Sequence, residues 1–165
     1  MIIHVLGLGP TIEDYLTAKP TGTTIGVNDA VKYNPDYLVI VDLPNKFSAD
    51  RKEAIHSYNG NLISQRTEWR PDILIRLQPY KEGWQKQPGK IFSAFTSAFV
   101  ATDYAFDRLG ANTVVLWGVD IKGHPVLDKY FDIINSRFAY YGRDKQLYKG
   151  SDNCPLNLPL WKQNT

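Results

Sequence analysis

The chain has 165 residues, 43% of them apolar, with 19 Lys and Arg against 17 Asp and Glu and a formal net charge of +2. That length fits one domain with a sizeable core, and the scattered, nearly balanced charges argue against a basic nucleic-acid face or an acidic tail. A single cysteine, Cys154, has no partner for an internal disulfide, as expected in a reducing compartment.

The apolar run at the amino end is too short for a signal peptide or a membrane span, so a soluble, cytoplasmic domain is expected. In Ile2-Ile3-His4-Val5-Leu6, β-branched residues predict a buried strand that passes into Gly7-Leu8-Gly9-Pro10-Thr11. The following stretch, Ile12 to Leu16, can be helical. Strand, glycine turn and helix opening together make an anion site, because backbone N–H groups can approach a phosphate and the helix start is partly positive. The third glycine of the dinucleotide fingerprint is absent.

Thr23 to Val27 reads as a second strand, closed by Asn28-Asp29, and Tyr37 to Val41 as a third, closed by Asp42. The latter is apolar almost throughout, the pattern of a strand buried on both faces of a parallel sheet. Ser48 is placed to cap a short helix through His56, Asn61 to Ser64 reads as a strand, and Ile73 to Leu77 as another. Pro79 to Gly89 is a polar loop. A helix is expected from Phe92 through Leu109, stopped by Gly110, then a buried strand over Thr113 to Trp117 ending in Gly118-Val119-Asp120. A last helix is expected over Lys129 to Tyr141, with Gln146 to Lys149 beyond it.

Buried strands alternating with helices predict one α/β domain over 1–165, a Rossmann-like open, mostly parallel sheet with helices on both faces. Its core is residues 1–121, and 122–165 supplies a helix, a candidate lid and a terminal segment. Ligands of such sheets sit beyond the carboxyl ends of the strands. There Gly7, Gly9, Pro10, Thr11, Asn28, Asp29, Asp42, Gly118 and Asp120 should converge.

Each candidate has a structural alternative. Asn28 and Asp29 either meet a ligand or form an Asx turn. Asp42 holds a ribose hydroxyl or a metal, or caps a helix. Thr96 and Ser97 face a ligand or bond back to their own helix. His124 has the intrinsic pKa for acid–base work or is simply an exposed loop residue. Arg137 and Arg143 meet phosphates at the crevice mouth or lie on a solvated helix face. His4 and Cys154 read as structural. Zinc clusters, a phosphate-loop ATPase motif and the Asp-x-Asp of metal-clamped glycosyltransferases are all missing, and no metal ligand is assigned.

Gly7-Leu8-Gly9-Pro10-Thr11-Ile12, Gly26-Val27-Asn28, Pro35-Asp36-Tyr37 leading to Asp42, Thr96-Ser97-Ala98 and Leu116-Trp117-Gly118-Val119-Asp120 form a pattern. It resembles the bacterial family-42 sialyltransferases and the related MptE-like nucleotide-binding domains, which include archaeal hydroxymethylpterin diphosphokinases. The resemblance spans roughly residues 1–121. It implies nucleotide contacts from Gly9, Pro10, Thr11, Asn28, Thr96, Ser97, Gly118 and Asp120, and phosphate-binding hydroxyls from Tyr130, Tyr140 and Tyr141. Leu8 stands where the sialyltransferases carry Asn, and His124 follows the Gly-x-Asp turn directly, whereas their catalytic histidine lies well beyond it.

The expected function is a nucleotide- or nucleotide-sugar-dependent transferase, moving a glycosyl or pyrophosphoryl group, with Asp120 and His124 catalytic and the phosphate at the Gly7–Thr11 turn. The nucleotide or nucleotide sugar is the substrate, magnesium an optional companion, and no cofactor is tightly bound. The alternatives are a non-catalytic nucleotide binder and a pseudoenzyme scaffold. No nucleic-acid or membrane partner is expected. A lid from 122–165 or a second subunit of a homo-oligomer would complete the site.

Overall fold

The computed structural model describes residues 1–163; the last two residues of the expected domain and of its 122–165 segment lie outside them. The strands are β1 (Ile2–Leu6), β2 (Thr23–Val27), β3 (Tyr37–Ile40), β4 (Asn61–Ser64), β5 (Ile73–Leu74), β6 (Arg76–Pro79), β7 (Lys90–Ser93), β8 (Thr113–Trp117) and β9 (Gln146–Lys149). The α-helices are α1 (Ile12–Ala18), α2 (Ala49–His56), α3 (Ser97–Asp107) and α4 (Phe131–Gly142). Seven strands make one sheet in the order β5-β4-β3-β2-β1-β8-β9, and every pairing in it is parallel. This is the expected open, Rossmann-like α/β architecture.

The period of two along each strand sorts the core into layers. Ile3, Val5, Ile25, Val39, Ile63, Val114 and Leu116 face α3 and α4, which bring Phe99, Ile134 and Phe138. Leu38, Ile40 and Leu62 point the other way, onto Ile55 of α2, Phe47 and Trp69. Leu6, Val115 and Trp117 do the same against Ile12 of α1 and Ala30. Helices on both faces account for the unbroken apolar runs, since Thr113 to Trp117 are all buried. No described helix is long and apolar enough to cross a membrane.

Three local expectations are corrected. Phe92 opens no helix: Lys90–Ser93 is β7, paired in parallel with β6 in a small separate sheet, and α3 starts only after Thr96. The single strand expected over Ile73 to Leu77 divides at Ile75, its first part on β4 and its second on β7. Gln146–Lys149, to which the sequence assigns no element, is an edge strand on β8. At α2, Ser48 occupies the cap position but its side chain accepts no hydrogen bond from the helix.

His4 sits fully buried in β1. Its Nδ1 accepts from the Trp117 indole N–H at 3.0 Å and its Nε2–H donates to the Thr21 carbonyl at 3.1 Å. Burial lowers its pKa below the ordinary 6.5, and the carbonyl contact opposes that only in part. The unfolded chain therefore binds a proton that the folded chain refuses. This contribution to stability is whole above pH 6.5 and is lost as pH falls below it. The urea midpoint is expected to fall between about pH 7 and 5, with a slope of at most about 1.4 kcal/mol per pH unit from this residue. In His4→Gln that component should vanish. An unchanged slope in the variant would assign the effect to other groups.

Candidate active site

The carboxyl ends of β1, β2, β3 and β8 open into a cleft of about 740 Å³. It lies where β1 has β2 on one side and β8 on the other. That is the point at which the strand order reverses and such sheets hold ligands. Gly7, Gly9, Pro10, Asn28, Asp29, Asp42, Thr96, Ser97, Gly118, Asp120 and His124 all line this cleft. Thr11 is absent from the lining. It is buried behind Asp120.

The Gly7–Thr11 turn differs most from its expected use. Gly7 N–H donates to the Trp117 carbonyl at 2.8 Å and Gly9 N–H to the Gly118 carbonyl at 2.7 Å. Thr11 N–H donates to Asp120 Oδ2 at 3.0 Å, and Thr11 Oγ1 to Asp120 Oδ1 at 2.6 Å. Pro10 has no N–H, and Ile12 N–H returns to the Gly9 carbonyl. The turn's donors are largely spent inside the protein, and the anion at the opening of α1 is the Asp120 carboxylate. A phosphate placed against Thr11 N–H would meet that carboxylate.

The glycines have a structural cause. A Cβ on Gly9 would stand 2.1 Å from Asp120 Oδ2, and one on Gly7 2.5 Å from the Gly118 carbonyl oxygen. A Cβ on Gly118, which has φ +68°, would stand 2.7 Å from the Gly7 carbonyl oxygen. The two strand-end loops thus interlock without side chains between them.

Asn28 opens a 3₁₀ turn over Asn28–Tyr33, with φ +51°. The Asx turn that would have explained it does not form, because its Oδ1 is sealed from solvent with no hydrogen-bond partner among the described residues. Asp29 accepts from Arg51 Nε at 2.9 and 3.0 Å. Arg51, on α2 and over the Phe47 ring, also lines the cleft. No sequence signal marks Arg51, whose place depends on how α2 lies over the sheet. The Asp42 carboxylate has no hydrogen bond or ion pair among the described residues, although its carbonyl accepts from the Trp69 indole N–H at 2.7 Å.

At α3, Thr96 is extended and its Oγ1 accepts from Ala98 N–H at 3.2 Å, so this hydroxyl caps its own helix. Ser97 carries no side-chain hydrogen bond among the described residues and stays available to the cleft. Phe95, just before them, is half exposed with φ +64° and stacks on Tyr130, centroids 5.5 Å apart.

Residues 121–127 line one side of the cleft. His124 Nδ1 accepts from Val126 N–H at 3.1 Å and Leu127 N–H at 3.0 Å. In the neutral ring the hydrogen therefore sits on Nε2. Lys122 lies over Phe131 and also lines the cleft. Of the tyrosines implied as lid hydroxyls, Tyr141 is excluded: it is buried and its OH donates to Asp103 at 2.8 Å. Cys154 is buried, and that burial pushes its thiol up to about 11, which suits a structural residue. No three His, Cys, Asp or Glu side chains converge as a metal cage among the described residues. Comparison with family models, curated proteins and solved structures finds no match to the chain.

Proposed function

We propose that the protein binds a nucleotide or nucleotide sugar in the cleft and transfers a glycosyl or pyrophosphoryl group from it. The observation that carries this reading is the cleft's position at the reversal of a parallel sheet, with the unpaired Asn28 Oδ1 in its wall. A buried acceptor without a donor is unfavourable by roughly 1–3 kcal/mol. Turned toward the cleft, the Asn28 side chain would find that donor in an amino group of a base or a ribose hydroxyl. Phosphate charge is met by Arg51, Lys122 and the opening of α3, all on the cleft wall. Magnesium, if used, arrives with the phosphates, and Asp42 is the acid free to meet it.

Transfer then rests on holding donor and acceptor together and on neutralising the leaving phosphate. The acceptor oxygen bonds to the transferred group as the bond from that group to the leaving phosphate oxygen breaks, and the electron pair stays on the phosphate. The acceptor's proton passes to solvent. The neutral His124, its Nδ1 engaged by two backbone N–H groups, donates a hydrogen bond from Nε2–H to the leaving phosphate. Asp120, with both carboxylate oxygens held by Thr11, serves as a positioning residue here instead of a base. That same engagement favours a second reading, a nucleotide binder without turnover.

Calorimetric titration with cytidine nucleotides, a cytidine nucleotide sugar and ATP with magnesium tests both. Asn28→Ala should weaken the binding nucleotide about tenfold, the loss of one hydrogen bond worth about 1.4 kcal/mol. His124→Ala, which removes that donor, should leave binding intact and slow turnover about 100-fold or more. Tight binding with no product selects the second reading. A lack of binding by every nucleotide rejects both and leaves the scaffold.

A further inference from the structure

Beside the cleft, across Phe95, lies a second cavity of about 600 Å³. Its walls combine Leu77, Pro79, Tyr80 and Ile133 with the polar side chains Gln65, Lys81 and Arg137. Among the described residues two cations and no carboxylate line it. Arg137 comes from α4, has its Nε sealed from solvent with no hydrogen-bond partner, and makes no ion pair among the described residues. Glu82, the acid nearest Lys81 in the chain, contacts Ser136 Oγ at 3.5 Å instead.

Arg137 is only partly buried, but an Nε–H cut off from water and given no acceptor still raises the free energy of the folded state. Here the missing partner and the empty space adjoin. We infer that this second cavity is a binding site for a small organic acid, whose carboxylate pairs with the Arg137 guanidinium and Lys81 while its apolar body packs on Leu77, Pro79 and Ile133. The planar guanidinium presents parallel N–H donors that match the two oxygens of a carboxylate. The apolar walls distinguish an organic acid from an inorganic anion, which would gain nothing from them.

The site is contiguous with the nucleotide cleft. Ser93 and Phe95 line both cavities, so the two meet along these residues. This is the geometry of an acceptor seat beside a donor seat. Its acceptor role rests on the transferase reading, whereas its capacity to hold an organic acid does not.

The test is a titration of the full chain with benzoate, acetate and inorganic phosphate at fixed ionic strength, following the arginine side-chain Nε–H signals by NMR. Benzoate is expected to saturate in the low-millimolar range, to move the Arg137 signal, and to bind more tightly than acetate or phosphate. Lys81→Ala, an exposed position, should weaken benzoate several-fold, and Arg137→Met about tenfold or more. Arg137→Lys, which keeps charge but loses the fork, should fall between wild type and Arg137→Met. Asn28→Ala should leave benzoate affinity unchanged, which separates this site from the nucleotide cleft. Phosphate binding tighter than benzoate would overturn the organic-acid assignment, and no saturable shift with any of the three would overturn the site. A nucleotide titration of the same sample reports separately on the transferase reading.

Discussion

Gly9→Ala should lower the stability of the folded chain by about 3–5 kcal/mol, read as a fall in the urea midpoint. The new Cβ would stand 2.1 Å from Asp120 Oδ2 and 2.8 Å from the Gly118 carbonyl oxygen, and neither is the loose end of a flexible side chain. Relief requires the carboxylate to leave Thr11. That breaks two buried hydrogen bonds, worth about 1.5–3 kcal/mol with a charged partner, on top of overpacking of about 1–3 kcal/mol. Leu8→Ala, at an exposed neighbouring position, should change the midpoint by less than about 0.5 kcal/mol. A wild-type midpoint for Gly9→Ala would mean that Asp120 moves aside readily, and the glycine turn would again be open to a ligand.

Asp103→Ala should destabilise by a similar amount, about 3–5 kcal/mol, as expected when one partner of a buried ion pair is removed. Asp103 is almost wholly buried in α3. It accepts from Phe92 N–H at 2.7 Å, from the Tyr141 hydroxyl at 2.8 Å and from Lys86 Nζ at 2.5 Å. One carboxylate therefore ties β7, α3, α4 and the 80–89 loop together. Burial first, then the Asp103 charge, raises the Tyr141 phenol far above its ordinary range, so it stays a donor at all working pH values. Tyr141→Phe, which loses a single hydrogen bond, should cost only about 1 kcal/mol. These elements also carry Arg137 and Lys81, so Asp103→Asn at a temperature where it stays folded should still weaken benzoate. A loss below about 1 kcal/mol for Asp103→Ala would show that the network closes around water at no penalty.

The sheet was legible because its strands are buried on both faces, which leaves runs such as Tyr37 to Val41 and Thr113 to Trp117 without polar interruptions. Short segments were less so. Phe92-Ser93-Ala94-Phe95 carries a helical spacing, yet β6 pairs with Lys90–Ser93, and Phe95 turns left-handed to let Thr96 cap α3. Thr96 before Ser97-Ala98-Phe99 was the available signal for that boundary.

The cleft followed from topology alone: residues at the ends of parallel strands must converge, and all the expected ones except Thr11 line it. The partnership of Thr11 and Asp120 did not follow. It joins positions 109 residues apart, and a glycine turn looks the same whether a phosphate or an internal carboxylate fills it. Arg51 and Arg137 were equally opaque, because a cation on a helix declares neither its direction nor the absence of a partner.

The claim on which the rest depends is that the cleft, with Asn28, Arg51 and the opening of α3, seats a nucleotide while the Gly7–Thr11 turn stays closed. Backbone amide NMR of the labelled protein, titrated with cytidine nucleotides and with ATP and magnesium, addresses it residue by residue. Saturating shifts should gather at 27–29, 41–42, 93–98 and 118–127, with the Thr11 amide unmoved. Shifts centred on Gly9 and Thr11, or none with any nucleotide, would contradict it.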